Sequence, residues 1–205
     1  MKRSLIIALA FACLLPSLAQ GLRAEVGVKA GLSLAKYQWT DPAGGLPWQY
    51  LPFATGGLYL EAGRGVLSVQ PGLFFTRMGG KYALEGDSLE FRYDYLQLPL
   101  LLKMNILPAD PVCPFFGLGG YGAYLIKAQG VLVIGGEREV ADVTDEYERF
   151  DAGLVFSGGF DFHFSGVTLS LECRYTYGLL EALKLPAEGE SMKHRAILAF
   201  IGLGF

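Results

Sequence analysis

The chain has 205 residues, 52% hydrophobic, 13% aromatic and 18% charged, with 28 glycines and a formal net charge of −3. Soluble domains carry roughly 25% charged residues, so this chain is poor in charge; its composition excludes disorder and a coiled coil, and its balance gives no basic footprint for nucleic acid. Beyond the N-terminal segment no apolar run reaches the roughly 18 residues of a spanning helix, which leaves the closed β-barrel as the structure that could cross a bilayer with every backbone polar group paired.

The first element is an export signal. Met1-Lys2-Arg3 precedes a nearly unbroken apolar run from Leu5 to Leu15, then Pro16-Ser17-Leu18-Ala19. A basic start, a short apolar stretch and small residues at −3 and −1 define such a signal. Ser17 and Ala19 place the cut after Ala19, giving a signal over 1–19 and a barrel domain over 20–205. A cut after Ala24 puts Leu22 at −3, and a lipoprotein signal ending at Cys13 puts bulky Phe11 where a small residue is wanted. Losing Lys2 and Arg3 from the 17 basic residues leaves 15 against 20 acidic ones. Cys13 leaves with the signal. Cys113, predicted at a turn, and Cys173, predicted in mid-strand facing outward, are too separated to bond, although export permits a disulfide.

The rest of the chain reads in period two, so each strand has two assignable faces. The segment 26–34 sets Val26, Val28, Ala30, Leu32 and Leu34 on one face and Lys29 on the other. Segment 53–62 is less regular and puts Gly57, Tyr59 and Glu61 inside. Segment 67–76 puts Leu67, Val69, Pro71, Leu73 and Phe75 outside and Gln70 inside. In 96–104 the even-numbered leucines and Met104 face out, with Gln97 and Lys103 facing in. Glycine-rich 115–128 places Lys127 inside, and Tyr124 and Ile126 outside. Segment 150–162 points its phenylalanines outward, Asp151 and Asp161 inward. In 167–179 the odd positions are wholly apolar, ending in Tyr175, Tyr177 and Leu179, while Glu172 and Arg174 mark the polar face. The last segment, 194–205, sets Ile197, Ala199, Ile201, Leu203 and Phe205 outward. Eight such segments of about 10–13 residues suit a tilted crossing of a bilayer, and eight is the smallest usual outer-membrane barrel. Pro71 and Pro99 are unfavourable in central strands and are read as bulges.

Connections alternate between long (36–49, 79–90, 129–149, 180–192) and shorter (63–65, 105–114, 163–166). Outer-membrane barrels pair short periplasmic turns with longer extracellular loops, which places both termini on the periplasmic side. The expected fold is an all-β, eight-stranded antiparallel up-and-down transmembrane barrel. The acidic stretch within 129–149 reads as a solvated loop; it lacks the Asp-x-Asp-x-Asp-Gly spacing of a calcium loop.

A barrel of this size is just wide enough for side chains to fill it. The expected lumenal network is Lys29, Glu61, Gln70, Gln97, Lys103, Lys127, Asp151, Asp161, Glu172 and Arg174. Its nearly balanced charges fit an ion-paired plug, since unpaired buried charge costs several kcal/mol. A narrow path for water, ions or small solutes is the alternative; a secreted soluble barrel binding an apolar ligand is a third reading and requires the apolar face inside. Gly117, Gly119, Gly120 and Gly122 do not open a helix, so they are not a phosphate loop; glycine here marks coiling or a large neighbour. Glu190, Ser191 and His194 lie close in sequence near the rim, but His194 faces the lumen and no nucleophile geometry follows. No Cys or His spacing suits a metal, no cofactor is implied, and the chain is read as a non-enzyme.

The stretches "VGVKAGLSLA", "LSVQPGLFFTRMGGK", "YLQLPLLLKMN", "PFFGLGGYGAYL", "DAGLVFSGGFDF", "LSLECRYTYGLLE" and "RAILAFIGLGF" together resemble the small outer-membrane barrels of Bacteroidota, the porin-family or PorT-like proteins. The resemblance spans essentially the whole mature chain and is most specific at Tyr95-Leu96-Gln97-Leu98-Pro99-Leu100, where the family often has Glu in place of Gln97. It implies an outer-membrane barrel embedded in lipid and leaves the task open. Cell-envelope or secretion-system proteins are the partners it suggests. Phe205 resembles the terminal aromatic by which the barrel assembly machinery recognises its clients.

Overall fold

The structure, a computed structural model, describes residues 23–40, 49–84, 87–183 and 191–205. The signal assigned to 1–19 and Glu190 lie outside them. Period-two alternation is realised as nine strands: β1 (Arg23–Thr40), β2 (Gln49–Arg64), β3 (Leu67–Leu84), β4 (Asp87–Asn105), β5 (Val112–Ile134), β6 (Glu137–Asp142), β7 (Phe150–Phe164), β8 (Val167–Gly178) and β9 (Ser191–Gly204). Each strand of the wall pairs antiparallel with its neighbours, and β1 pairs with β9 from Gly27↔Gly204 to Thr40↔Ser191, which closes the ring. Eight strands make the barrel. The ninth, β6, pairs only with β5, folding back on its upper part as a hairpin.

Closure removes sheet edges, so the wall exposes no unpaired backbone to hydrocarbon. The start of β1 and the C-terminal residue meet at one mouth, where the Phe205 amide donates to the Val26 carbonyl at 2.9 Å and the Val26 amide donates to the Phe205 carbonyl at 3.1 Å. Two-residue turns join β2 to β3 and β7 to β8 at that mouth. Gly65 (φ 57°) and Gly166 (φ 83°) hold them, in a backbone region that glycine enters without steric cost.

The decisive orientation is observed directly. Leu171 and Leu203 are 41% and 42% exposed on the outer wall, whereas Glu172 and Arg174 are 4% and 1% exposed. Val28, Leu32, Leu58, Leu98, Leu118, Phe156 and Ile201 continue the exposed apolar belt on the other strands. The soluble barrel with an apolar interior is therefore overturned: the alternating pattern turns the greasy face outward on every strand of the wall.

Several local expectations are corrected. Seven of the eight wall strands are longer than 13 residues, β8 having 12, and β3, β4 and β5 run on beyond the apolar belt. Their upper parts keep pairing because polar side chains satisfy one another across the ladder. Arg77 faces Asp94 in register and donates to it twice, at 2.5 and 2.8 Å. Much of the stretch 79–90 and of 129–149 is thus strand. Pro71 and Pro99 are not bulges: Pro71↔Leu100 and Phe74↔Gln97 lie in one unshifted register. The two prolines instead interrupt separate ladders without shifting register: pairing lapses beside Pro99 between Pro71↔Leu100 and Phe74↔Gln97, and beside Pro71 between Tyr59↔Gly72 and Ala62↔Val69. The real irregularities are in β2, between Tyr50 and Thr55, and in β5. There Asp94 faces Lys127 while Tyr95 faces Leu125, so Ile126 is an extra residue. That bulge reverses the parity above it and turns Lys127, expected inside, onto the exposed outer wall beside Asp94. Cys113 lies in β5 facing inward rather than in a turn; Cys173 faces outward as expected, and both are free.

Candidate functional site

The lumen is the place where this chain concentrates its chemistry. Lys29 from β1 donates to Glu172 of β8 at 2.5 Å and to the Gln70 side-chain oxygen of β3 at 2.9 Å. Glu172 also accepts from Arg174 Nε at 2.9 Å. The Arg174 guanidinium lies over Phe74 and Phe200, 4.9 and 5.0 Å from their ring centres. Buried charge needs such pairing because desolvation costs several kcal/mol per ion, and the two rings supply further cation–π attraction in a dry setting.

Toward the short-turn mouth a second group forms around Lys103. It donates to Asp161 at 2.5 Å and to Glu61 at 2.8 Å, and Glu61 also accepts from Ser68 and Gln70 at 2.7 and 2.8 Å. Toward the other end the aromatic content rises. Tyr121 donates to Asp151 at 2.8 Å. His194 Nδ1 lies 3.1 Å from the same carboxylate oxygen, and its Nε2 lies 3.3 Å from the Tyr95 hydroxyl. Tyr93 then donates to Tyr147 at 2.8 Å.

Tyr147 belongs to the segment between β6 and β7, which begins with a short 3-10 turn over Thr144–Glu146. Thr144 pins that segment to β5: its hydroxyl accepts from the Ala128 amide at 2.9 Å. Asp142 accepts from the Thr144 amide at 3.0 Å and from its hydroxyl at 2.5 Å. These donors hold the exposed Asp142 carboxyl below the usual carboxylate range, because they favour its charged form. Burial pushes the Tyr147 phenol up. Buried Tyr147 and Ala182 pack against the interior cluster of Tyr93, Tyr95, Leu101, Tyr121 and Leu125, so two connecting segments reach into the lumen from the long-loop end.

Of the ten expected lumenal residues, nine take part in the inner wall. Lys29, Gln70, Glu172, Arg174, Glu61, Lys103 and Asp161 join the two linked ion groups, Asp151 joins the histidine–tyrosine group, and Gln97 is buried among them. Lys127 is the exception. The sequence reasoning missed Glu25, which strand parity reaches once β1 is begun at Arg23, and Tyr121, hidden among glycines. Tyr147 could not be found by period, since it comes from a connection. Among the glycines singled out in the sequence, no large side chain is the neighbour: a Cβ on Gly119 would meet the Leu100 carbonyl and one on Gly117 the Ser157 hydroxyl, while Gly122 has open space; it is Gly27 whose Cβ would run into Tyr59, and Gly204 whose Cβ would meet Glu25. Of the Glu190–Ser191–His194 grouping, Glu190 lies outside the described residues, and His194 turns inward to Asp151 and Tyr95. Among the described residues no group of His, Cys, Asp or Glu is placed to hold a metal ion.

The chain belongs to the outer membrane protein beta-barrel domain family, whose model matches residues 18–183. Solved structures share the fold at low identity. Neisserial surface protein A is 14% identical, with 90% of this chain and 97% of that one covered at a TM-score of 0.52. The outer membrane protein OprG from Pseudomonas aeruginosa is 12% identical, with 88% and 94% covered at a TM-score of 0.54. No curated protein matches the chain in sequence.

Proposed function

We propose that this protein is a plugged outer-membrane barrel that acts through its long-loop end, as a structural or interaction protein rather than as a conduit. One observation carries this: the layer in which Arg174 lies against Phe74 and Phe200 and binds Glu172, itself held by Lys29. It links β1, β3, β8 and β9 across the lumen, and Tyr93 and Tyr147 close the space above it. The β5–β6 hairpin is the feature presented outward: every residue of β6 is exposed, and acidic Glu137, Glu139 and Asp142 alternate with Arg138 and Val140. In this orientation the short-turn mouth faces the periplasm, lipid surrounds the apolar belt, and the partners are proteins of the cell envelope or of a secretion system. The Tyr95–Leu100 segment supports a place among the PorT-like barrels of Bacteroidota.

Planar-bilayer recording on the folded chain tests the reading. Little stable current is expected, and photo-crosslinkers at Arg138 in intact cells should capture envelope proteins. A steady ohmic conductance from gel-verified folded protein would overturn the plug and favour a narrow pore.

A further inference from the structure

Strand β6 ends its sheet: among the described strands it pairs with β5 alone, and all 6 of its residues are exposed. An open edge is a template for another strand. The hairpin decides which backbone groups that edge offers. Gly135 and Gly136 both have positive φ, 57° and 89°, as a two-residue type I′ turn requires, and such a turn is closed by a hydrogen-bonded pair. Here that pair is Ile134↔Glu137, so Leu132↔Glu139 and Gly130↔Ala141 are the next bonded pairs, and Val133↔Arg138 and Val131↔Val140 are the open ones. The Val143 amide, which donates to the Ala128 carbonyl at 3.1 Å, continues the same alternation. The backbone N–H and C=O groups of Arg138 and Val140 therefore point away from β5, to the free edge. Strand β5 stays paired with β4 up to Ser88↔Val133, so this edge belongs to a sheet continuous with the barrel wall.

We propose that the occupant of this edge is a second copy of the chain, with β6 pairing antiparallel with itself about a twofold axis at Val140. The stretch Arg138-Glu139-Val140-Ala141-Asp142 is self-complementary in that register. Arg138 faces Asp142 of the other copy at both ends, Val140 faces its own copy, and Glu139 faces Ala141. Opposite charges across a ladder attract, and like charges directly opposite destabilise. Moving the axis to Glu139 sets that carboxylate against its own copy. Moving it to Ala141 sets Arg138 against Thr144, whose amide and hydroxyl are already given to Asp142. Asp142 accepts both of those bonds on Oδ1, which leaves Oδ2 for a guanidinium. A twofold axis relating neighbouring antiparallel strands stands perpendicular to their sheet. The sheet here contains the barrel axis, so the second barrel is inverted, and the two long-loop ends meet as they would between facing membranes. This names the partner of the hairpin and rests on the proposed outward orientation of that end; it does not depend on whether the lumen conducts.

Sedimentation of the full chain, folded in detergent micelles, tests the pairing. A short edge interface belongs to the small, transient class, so dimer is expected at about 0.1 mM chain. Arg138→Asp turns both opposite-charge contacts into like-charge ones and should weaken the dimer about tenfold or more. Asp142→Arg should do the same, and an equimolar mixture of the two variants should recover dimer, because each then meets its complement. Val140→Pro removes an amide from the free edge and none from the β5–β6 ladder, and should abolish the dimer. Glu139→Gln, opposite Ala141, should leave it unchanged. Heat-modifiable gel mobility confirms that each variant is folded. Phosphatidylcholine vesicles carrying the folded chain should cluster with the same pattern of variants, strengthened by many copies per vesicle. Monomer alone at about 0.1 mM, a dimer undiminished in the folded Val140→Pro or Arg138→Asp variants, or a mixture no more dimeric than its components would overturn the proposal. A dimer in micelles whose vesicles do not cluster would overturn the facing arrangement, whereas a steady conductance would overturn the plug and leave the pairing standing.

Discussion

Replacing Glu172 by Gln should destabilise the barrel more than replacing Arg174 by Met, although Arg174 is the larger side chain and the more buried of the two. The reason is the charge of the group. Lys29 and Arg174 share the single carboxylate of Glu172, at 2.5 and 2.9 Å. Glu172→Gln leaves two facing cations in a low-dielectric interior, and removing one partner of a buried pair costs roughly 3–5 kcal/mol. Arg174→Met leaves the neutral Lys29–Glu172 pair intact. It forfeits cation–π contact with Phe74 and Phe200, together about 2 kcal/mol or more when desolvated, partly replaced by about 1 kcal/mol of methionine–aromatic contact. The two variants should differ by about 2 kcal/mol or more. Adding Lys29→Met to Glu172→Gln should recover part of the loss, because it removes one of the stranded cations. The measurement is urea unfolding of the chain folded into phosphatidylcholine vesicles, followed by heat-modifiable mobility and tryptophan fluorescence. If Arg174→Met proves as damaging as Glu172→Gln, guanidinium packing rather than charge balance holds the plug, and the reasoning fails.

Lys103→Gln strands Glu61 and Asp161 and should cost about 3 kcal/mol or more, whereas Lys127→Gln on the outer wall should stay within about 0.5 kcal/mol; equal losses in the same unfolding assay would contradict the observed bulge at Ile126. Gly27→Ala drives a Cβ into the Tyr59 ring and should cost about 1–3 kcal/mol, while Gly122→Ala, which has open space around its Cβ position, should be neutral. The Asp142–Thr144 contact has a defined pH response. Its folded-state pKa is depressed, so its contribution is present above the unfolded carboxylate value and is lost as pH falls through the lower folded one. Hydrogen exchange over 143–149, corrected for intrinsic rate, should therefore be unchanged between pH 7 and pH 5 (both above the roughly 3.9 of free Asp), and Thr144→Val should accelerate it at both. Deleting Phe205, which pairs with Val26 and closes the ring, should lower the yield of membrane-inserted protein; full yield would remove the assembly role proposed for it.

Alternation along 167–179 and 194–205 was enough to determine, without coordinates, that Leu171 and Leu203 share a face opposite Glu172 and Arg174. A strand's period is two residues, and each slip would move a whole apolar set to the wrong side. The inward assignment of Lys29, Glu61, Lys103, Asp161 and Arg174 rests on the same parity. Parity is blind to a single inserted residue. Ile126 in β5 therefore inverted the place of Lys127, while the prolines at 71 and 99 suggested bulges where the register is straight. Which charges meet depends on the stagger between strands distant in sequence: Lys29 and Glu172 are 143 residues apart, and no local pattern encodes that contact. The entry of Tyr147 into the lumen from the long-loop end was invisible for a different reason. It comes from a connection without periodicity, positioned by Thr144 on the backbone of Ala128, so only the folded chain could decide that Tyr147 packs against Tyr93 inside the barrel.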